Sequence, residues 1–167
     1  EPVQGAIDLN KQSIVLPGDE RIHASFAAKE DGSFMEVYYD GVTTLYEAFM
    51  KGMKLSDDGP CLGWRQEPDM KYVWMKYSVV HENSYNLGCG MVTKGYSPGQ
   101  DTCVGIYASN SKEWIFSEQA CNMFSMVLVP LYDTLGPSTC SFIINQAELK
   151  IVICDTTKRA EKLLKDH

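Results

Sequence analysis

Met126-Val127-Leu128-Val129-Pro130-Leu131-Tyr132-Asp133-Thr134-Leu135-Gly136-Pro137 is the stretch on which the fold turns. Its first half is a run of apolar, mostly branched side chains, the kind that packs on a pleated surface covered from both sides. Its second half is polar and turn-prone, and Pro137 has the fixed φ expected at the first position of a helix. The same grammar repeats on either side. Upstream, Thr102–Ala108 is an apolar run, and Asn110 with Glu113 is expected to cap a helix reaching Phe124. Trp114, Ile115, Phe116, Ala120, Cys121 and Phe124 make that helix apolar around most of its circumference, with Glu118 and Asn122 as a polar stripe. Downstream, Phe142, Ile143 and Ala147 continue the Pro137 helix, and Lys150–Cys154 is a third apolar run. Asp155 is expected to cap a last helix rich in Lys and Glu. Strand and helix alternating three times, with strands apolar throughout, predict an α/β fold: a parallel β-α-β-α-β-α sheet covered by helices, with right-handed crossovers.

A chain of 167 residues with 44% apolar content is long enough for a sizeable core. The net charge of −7 opposes the basic footprint that nucleic acid requires and disfavours attraction to anionic lipid. Six cysteines, at 61, 89, 103, 121, 140 and 154, contain no CxxC pair, and Cys103, Cys121, Cys140 and Cys154 sit within apolar runs. Packed free thiols are therefore expected over disulfides or a metal site, and with them a reducing compartment. No stretch has the eighteen or so consecutive apolar residues of a membrane span. The chain opens with Glu1 rather than Met, which suggests a fragment or a processed start.

Residues 1–41 are acidic and weakly periodic, and are expected to form an extended arm in which Ser13–Leu16 and Met35–Tyr38 pair as edge strands. Thr44 and Glu47 form a capping box, after which Leu45, Phe49 and Met53 share one helical face. Cys61–Arg65 and Lys71–Met75 read as a hairpin joined through Gln66–Met70. Tyr77–Lys94 reads as a helix with Val80, Leu87 and Met91 inward and His81, Glu82, Asn83 and Lys94 outward, stopped by Gly95. Gly88 and Gly90 weaken that helix but allow close packing.

In parallel sheets ligands gather beyond the carboxyl ends of the strands. Three polar tips qualify: Ser109-Asn110-Ser111, Tyr132-Asp133-Thr134 and Asp155-Thr156-Thr157. For Asn110 and Asp155 capping of the next helix is the favoured role. For Tyr132 and Asp133, which precede their helix by several residues, capping and ligand contact are equally open. Gly88-Cys89-Gly90 lacks the third glycine and preceding strand of a dinucleotide loop, and no GxxxxGK[ST] or GxSxG is present. His23, His81 and His167 are scattered, without metal-ligand spacing. The residues by themselves name no catalytic, cofactor-binding or metal site.

From about Val42 onward the chain resembles the N-terminal portion of the adenylate-forming (AMP-binding) superfamily, in its long-chain acyl-CoA synthetase branch. The residues that carry the likeness are Thr44-Leu45-Tyr46-Glu47, Gly59-Pro60-Cys61-Leu62-Gly63 and Trp74-Met75-Lys76-Tyr77. Gly105-Ile106-Tyr107-Ala108-Ser109-Asn110, Glu113-Trp114-Ile115, Val129-Pro130-Leu131-Tyr132-Asp133-Thr134-Leu135-Gly136-Pro137 and Val152-Ile153-Cys154-Asp155 complete it. Lys76 departs from the Ser or Thr the family often places there, which weakens a helix cap.

After the acidic arm of residues 1–41, which composition alone suggests, the resemblance implies the truncated N-terminal part of an adenylation domain over residues 42–167. It implies a long-chain fatty-acid–CoA ligase: fatty acid and ATP give an acyl-adenylate and pyrophosphate, and the thiol of coenzyme A then displaces AMP. Fatty acid, ATP, Mg²⁺ and CoA are thus the expected partners of the whole enzyme, with Mg²⁺ and cationic groups stabilising phosphoryl charge. The family's phosphate loop, its aromatic-Gly-x-Thr-Glu segment, its ribose-binding Asp and its mobile Lys match nothing in this sequence. The chain alone is accordingly expected to be inactive and to bind none of these cofactors, and the site list stays empty. A stand-alone binding or regulatory module built on the same sheet is the alternative, and a dinucleotide-binding enzyme a distant third. The family also implies the cytosolic face of the endoplasmic reticulum or of the mitochondrial outer membrane.

Overall fold

The structure, a computed structural model, describes residues 10, 12–25, 37, 39–132, 134, 136 and 138–166. The chain divides into two units, Glu1–Thr43 and Thr44–His167.

In the first unit β1 (Ser13–Val15) pairs antiparallel with β2 (His23–Ser25), placing Ile14 opposite Ala24. The Leu16 amide donates to the Ile22 carbonyl at 2.8 Å, closing the turn that Pro17-Gly18 opens. Ser13–Val15 therefore finds its partner at residues 23–25. The expected partner, Met35–Tyr38, lies outside the described residues apart from Val37.

The second unit begins with α1 (Leu45–Leu55), whose capping box forms as the sequence predicts. Thr44 Oγ1 accepts from the Glu47 amide at 3.1 Å, and Glu47 Oε2 accepts from the Thr44 amide at 3.0 Å. Phe49 packs on Tyr77 with ring centroids 5.1 Å apart, but Leu45 is exposed, so the inward face starts one turn later than expected. β3 (Pro60–Gln66) and β4 (Lys71–Lys76) form the antiparallel hairpin, with Gly63 opposite Trp74 and Arg65 opposite Tyr72.

α2 (Tyr77–Thr93) follows β4 without a break. Lys76 occupies its cap position and offers no side-chain acceptor. The missing cap comes from a distance: Asp58 Oδ1 accepts from the Ser78 amide and Oδ2 from the Ser78 hydroxyl, each at 2.8 Å. Gly95, at φ +96°, ends the helix in a conformation that a side chain would strain. Val80 and Met91 are buried as predicted. His81 is half-buried and meets the Tyr46 hydroxyl at 3.4 Å, instead of standing on a solvated face. Gly88 is where α2 makes its closest approach. A Cβ there would lie 2.2 Å from the Phe124 ring, which belongs to the end of the next helix and not to the sheet.

The core is a three-stranded parallel sheet of β5 (Cys103–Tyr107), β6 (Val127–Pro130) and β7 (Ile151–Cys154), in the order β6-β5-β7. Alternation along the strands sorts the side chains into two cores. Val104, Leu128, Ile151 and Ile153 meet Leu87 and Met91 of α2, and Ala120 and Cys121 of α3 (Lys112–Met123). Tyr107, Val152 and Cys154 face the other way, against Cys140 and Ile144 of α4 (Thr139–Gln146) and Leu163 of α5 (Thr157–Asp166). The step from β5 to β6 and the step from β6 to β7 run in opposite directions across the sheet. Crossovers of one hand then require helices on opposite faces, and α3 and α4 are so placed.

The helix starts differ from expectation. Ser111, not Asn110, caps α3, its hydroxyl accepting from the Trp114 amide at 3.3 Å. α4 begins at Thr139, two residues beyond the predicted Pro137, which lies outside the described residues together with Asp133 and Leu135. α5 is capped by Thr156, whose Oγ1 accepts from the Arg159 amide at 3.3 Å. Asp155 is thereby released for another role. The polar stripe predicted at Glu118 and Asn122 is half-buried rather than solvated, and Phe142 of α4 is exposed.

Candidate functional site

β5 and β7 are neighbours whose outgoing loops lead to opposite faces, one to α3 and the other to α5. Adjacent parallel strands that part in this way leave a crevice at their carboxyl ends, the usual ligand position in open α/β sheets. Two of the three polar tips meet there. Asp155 Oδ2 accepts from the Ser109 amide at 2.8 Å, binding the loop after β5 to the end of β7. Arg159, one helical turn on, donates through Nη1 to the same carboxylate and to Ser109 Oγ at 3.0 Å. Its guanidinium lies 5.1 Å from the centre of the Tyr107 ring. Lys162 Nζ donates to the Tyr107 hydroxyl at 3.2 Å.

The Ser109 amide, and after it the Arg159 guanidinium, hold the Asp155 carboxyl down at about 2. Burial pushes up the neighbouring Cys154 thiol; Asp155 adds to the shift and Arg159 opposes it. Cys121, on the buried face of α3, is pushed up to about 12 by burial and then by Glu118. Neither thiol is poised as a nucleophile, since the thiolate is the reactive form.

Asp155 divides two cavities of about 520 Å³ each. On the α5 side the walls are cationic and hydroxylic: Lys158, Arg159 and Lys162 with Ser109, Thr156 and Tyr107. On the α3 side they are mainly apolar, with Leu87, Ile106, Ala108, Trp114, Phe116 and Ile153, joined by polar groups that include the buried Ser117. A third cavity of about 440 Å³ lies between β3 and the start of α3, where Lys112 Nζ sits 5.0 Å from the Trp64 ring centre.

The remaining tip stays apart. Tyr132 is exposed, its carbonyl accepting from Cys140 Sγ at 3.9 Å, and Asp133 lies outside the described residues. Asn110 is exposed and caps nothing in the helix it precedes. The cations of α5 were not singled out from sequence, although Asp155–Arg159 and Lys158–Lys162 each stand four residues apart, the spacing that brings helical side chains together. Among the described residues no three His, Cys, Asp or Glu side chains gather to hold a metal ion. No helix among them is long and apolar enough to cross a membrane.

The family pattern described as AMP-binding enzyme matches residues 56–167, two thirds of the chain. The chain belongs to the AMP-binding enzyme family. Long-chain-fatty-acid–CoA ligase 5 of Rattus norvegicus is 42% identical over 166 residues, 99% of this chain. The human long-chain-fatty-acid–CoA ligase 1 is 41% identical over 164 residues, and ligase 6 of Mus musculus 44% over 127. The chain spans about a quarter of the length of the curated relatives it matches most fully. The fold is that of solved adenylate-forming relatives. A long-chain-fatty-acid CoA ligase from Rhodopseudomonas palustris superposes with a TM-score of 0.58 at 18% identity, over 74% of this chain and 29% of the other. VinN in complex with 3-methylaspartate gives 0.64 at 14%, over 74% and 32%. The resemblance expected from the Val129–Pro137 string is thus the one found.

Proposed function

We propose that this chain forms part of an ATP-dependent ligase that joins a long-chain fatty acid to coenzyme A through an acyl-adenylate. The observation that carries the reading is 42% identity, sustained over 166 residues, to a ligase named for that reaction. ATP supplies the adenylyl group that turns a carboxylate oxygen into a leaving group, and CoA supplies the acceptor thiol. Both substrates bring phosphoryl oxygens. The α5 cleft, with Lys158, Arg159, Lys162, the Thr156 hydroxyl and the first amides of a ten-residue helix, is the donor set of this chain that suits them. Asp155 neutralises part of Arg159, leaving Lys158 and Lys162 to carry the excess charge. No role for Mg²⁺ is derived from the described residues, among which no three His, Cys, Asp or Glu side chains gather.

The sequence holds neither a Ser/Thr/Gly-rich phosphate loop nor a GxSxG elbow, so the bond-making groups of the reaction are to be sought in further chain. The 167 residues alone are expected to release no pyrophosphate from ATP and palmitate. The free cysteines suit a reducing compartment, and the resemblance supports the cytosolic face of the endoplasmic reticulum or mitochondrial outer membrane. Protease protection of the tagged protein tests that placement.

Exchange of the matching segment of the rat ligase 5 for this chain tests the reaction. The chimera is expected to form palmitoyl-CoA from palmitate, ATP and CoA. A chimera that unfolds cooperatively yet forms none sinks the reading. Lys158→Glu with Lys162→Glu in the same chimera is expected to raise KM for ATP or CoA while leaving that for palmitate unchanged.

A further inference from the structure

Tyr107 is a polar residue in an apolar place. It ends β5 on the face that α5 covers and is 1% exposed, yet it carries a hydroxyl and lines the cationic cleft. What lies against it is charged. Arg159 Cζ is 5.1 Å and Lys162 Nζ 5.8 Å from the ring centre, and Lys162 Nζ donates to the hydroxyl at 3.2 Å. The two cations stand three residues apart on α5, neighbours on one helical face. One buried aromatic residue therefore touches two of the three cations of the cleft.

The manner of holding matters for a ligand. A carboxylate would fix either cation but offset its charge toward a third group, as Asp155 does in part for Arg159. A phenol holds a cation through the negative face of its ring and a lone pair on its oxygen, and it is uncharged at neutral pH. Tyr107 thus orders Arg159 and Lys162 and leaves their charge intact. Immobilising one rotamer-rich side chain on binding lowers affinity about two- to tenfold. Cations ordered before the ligand arrives avoid that loss.

We propose that Tyr107 is a positioning residue of the α5 cleft, its buried ring and hydroxyl holding Arg159 and Lys162 ready for the phosphoryl group of a substrate. This role rests on the ligase reading, in which ATP and CoA both bring such a group. If the cations merely covered a core tyrosine, replacing Tyr107 would lower stability and leave substrate affinity unchanged.

The test replaces Tyr107 in the chimera of rat ligase 5. Tyr107→Phe keeps the ring and removes the hydroxyl, releasing Lys162; Tyr107→Leu removes both. KM for ATP or for CoA is expected to rise about threefold in the first and about tenfold in the second, following the rotamer freedom restored. Varying ATP and CoA separately shows which of them brings the phosphoryl group. The parent kcat and KM for palmitate should hold within about twofold. Should Tyr107→Leu fail to fold, Lys162→Met decides: with it in place, Tyr107→Phe should raise KM no further, because the hydroxyl has lost the cation it holds. Unchanged KM for both ATP and CoA in the variants that fold overturns the proposal, whatever happens to their thermal stability. So does an effect of Tyr107→Phe that adds in full to that of Lys162→Met. A parent chimera that forms no palmitoyl-CoA sinks the ligase reading, and titration of the 167-residue chain with pyrophosphate, by calorimetry, then decides the role of Tyr107. The parent chain is expected to bind pyrophosphate, and Tyr107→Phe and Tyr107→Leu to weaken that binding in the same order. No binding by the parent, or equal binding by all three, overturns the positioning role.

Discussion

Two tyrosines in this protein lie beneath a guanidinium at nearly the same distance, and they live in opposite surroundings. Tyr107, at the end of β5, is 1% exposed under Arg159 at 5.1 Å; Tyr72, on β4, is 57% exposed under Arg65 at 5.4 Å. The contact is the same, but its worth is not, because a cation over a ring gains more once water is removed from both. The difference extends to the strands that carry them. β5 has helices on both faces and buries Val104, Ile106 and Tyr107 almost completely. β4 has one paired neighbour, β3, and leaves three of its six side chains in the open as large apolar groups. Stability in the second unit should therefore reside in the parallel sheet, with the hairpin close to neutral.

The largest expected effect comes from the buried strand. Ile106→Ala is predicted to cost about 2 to 5 kcal/mol, because the lost methylenes leave a cavity that close-packed neighbours fill only in part. Val73→Ala on the hairpin should stay within about 0.5 kcal/mol. Urea unfolding at constant m-value measures both. Equal costs would break the comparison and mean that the hairpin is buried in solution.

Two glycines sharpen it further. A Cβ at Gly88 would lie 2.2 Å from Phe124, and one at Gly63 would lie 2.8 Å from Trp74. Phe124 is packed among Met91, Val104 and Cys121, whereas Trp74 has solvent to move into. Gly88→Ala is thus expected to destabilise by about 1 to 3 kcal/mol through overpacking. Gly63→Ala should cost clearly less, and its signature should be a change in Trp74 emission as the indole swings away from the strand.

The same contrast explains what was legible in the sequence. The parallel sheet was readable because burial on both faces forces continuous apolar runs, and Val104–Tyr107, Val127–Pro130 and Ile151–Cys154 are such runs. The hairpin was readable from its turn residues and its alternation. What could not be read was any role assigned across the chain. Asn110 and Asp155 both have the side chain of a good cap, and both lost that role to the next residue, Ser111 and Thr156. Nothing local distinguishes adjacent polar residues; the choice was made when Asp155 met the Ser109 amide, 46 residues away. Asp58 capping Ser78 across 20 residues escaped notice for the same reason. The cationic cleft was hidden too, because a helix rich in Lys and Glu reads as a solvated face until the sheet places Tyr107 and Ser109 beside it. Ser111→Ala is accordingly expected to cost about 1 kcal/mol and Asn110→Ala close to nothing, measured by thermal unfolding. The reverse order would restore Asn110 as the cap.

The smallest effect is the most specific to the crevice. Asp155 is held down from 3.8 to about 2, first by the Ser109 amide and then by Arg159. A carboxylate with a lower pKa folded than unfolded binds fewer protons in the native state. Its contribution is then complete above the unfolded value and is lost as pH falls through the folded one. Asp155→Asn keeps an acceptor for the Ser109 amide and removes only the charge. The parent should be the more stable protein above about pH 4, and the gap should close as pH falls from 3.8 towards about 2. Subtracting the two curves also cancels Asp58, which Ser78 likewise holds below its ordinary value. Asp69→Asn on the hairpin, which breaks a pair whose side chains are 64% and 81% exposed, should cost no measurable stability at neutral pH. A gap at Asp155 that stays constant with pH would mean that the loop after β5 is held by the geometry of its hydrogen bond, and the charge of the crevice would then be free to serve a ligand.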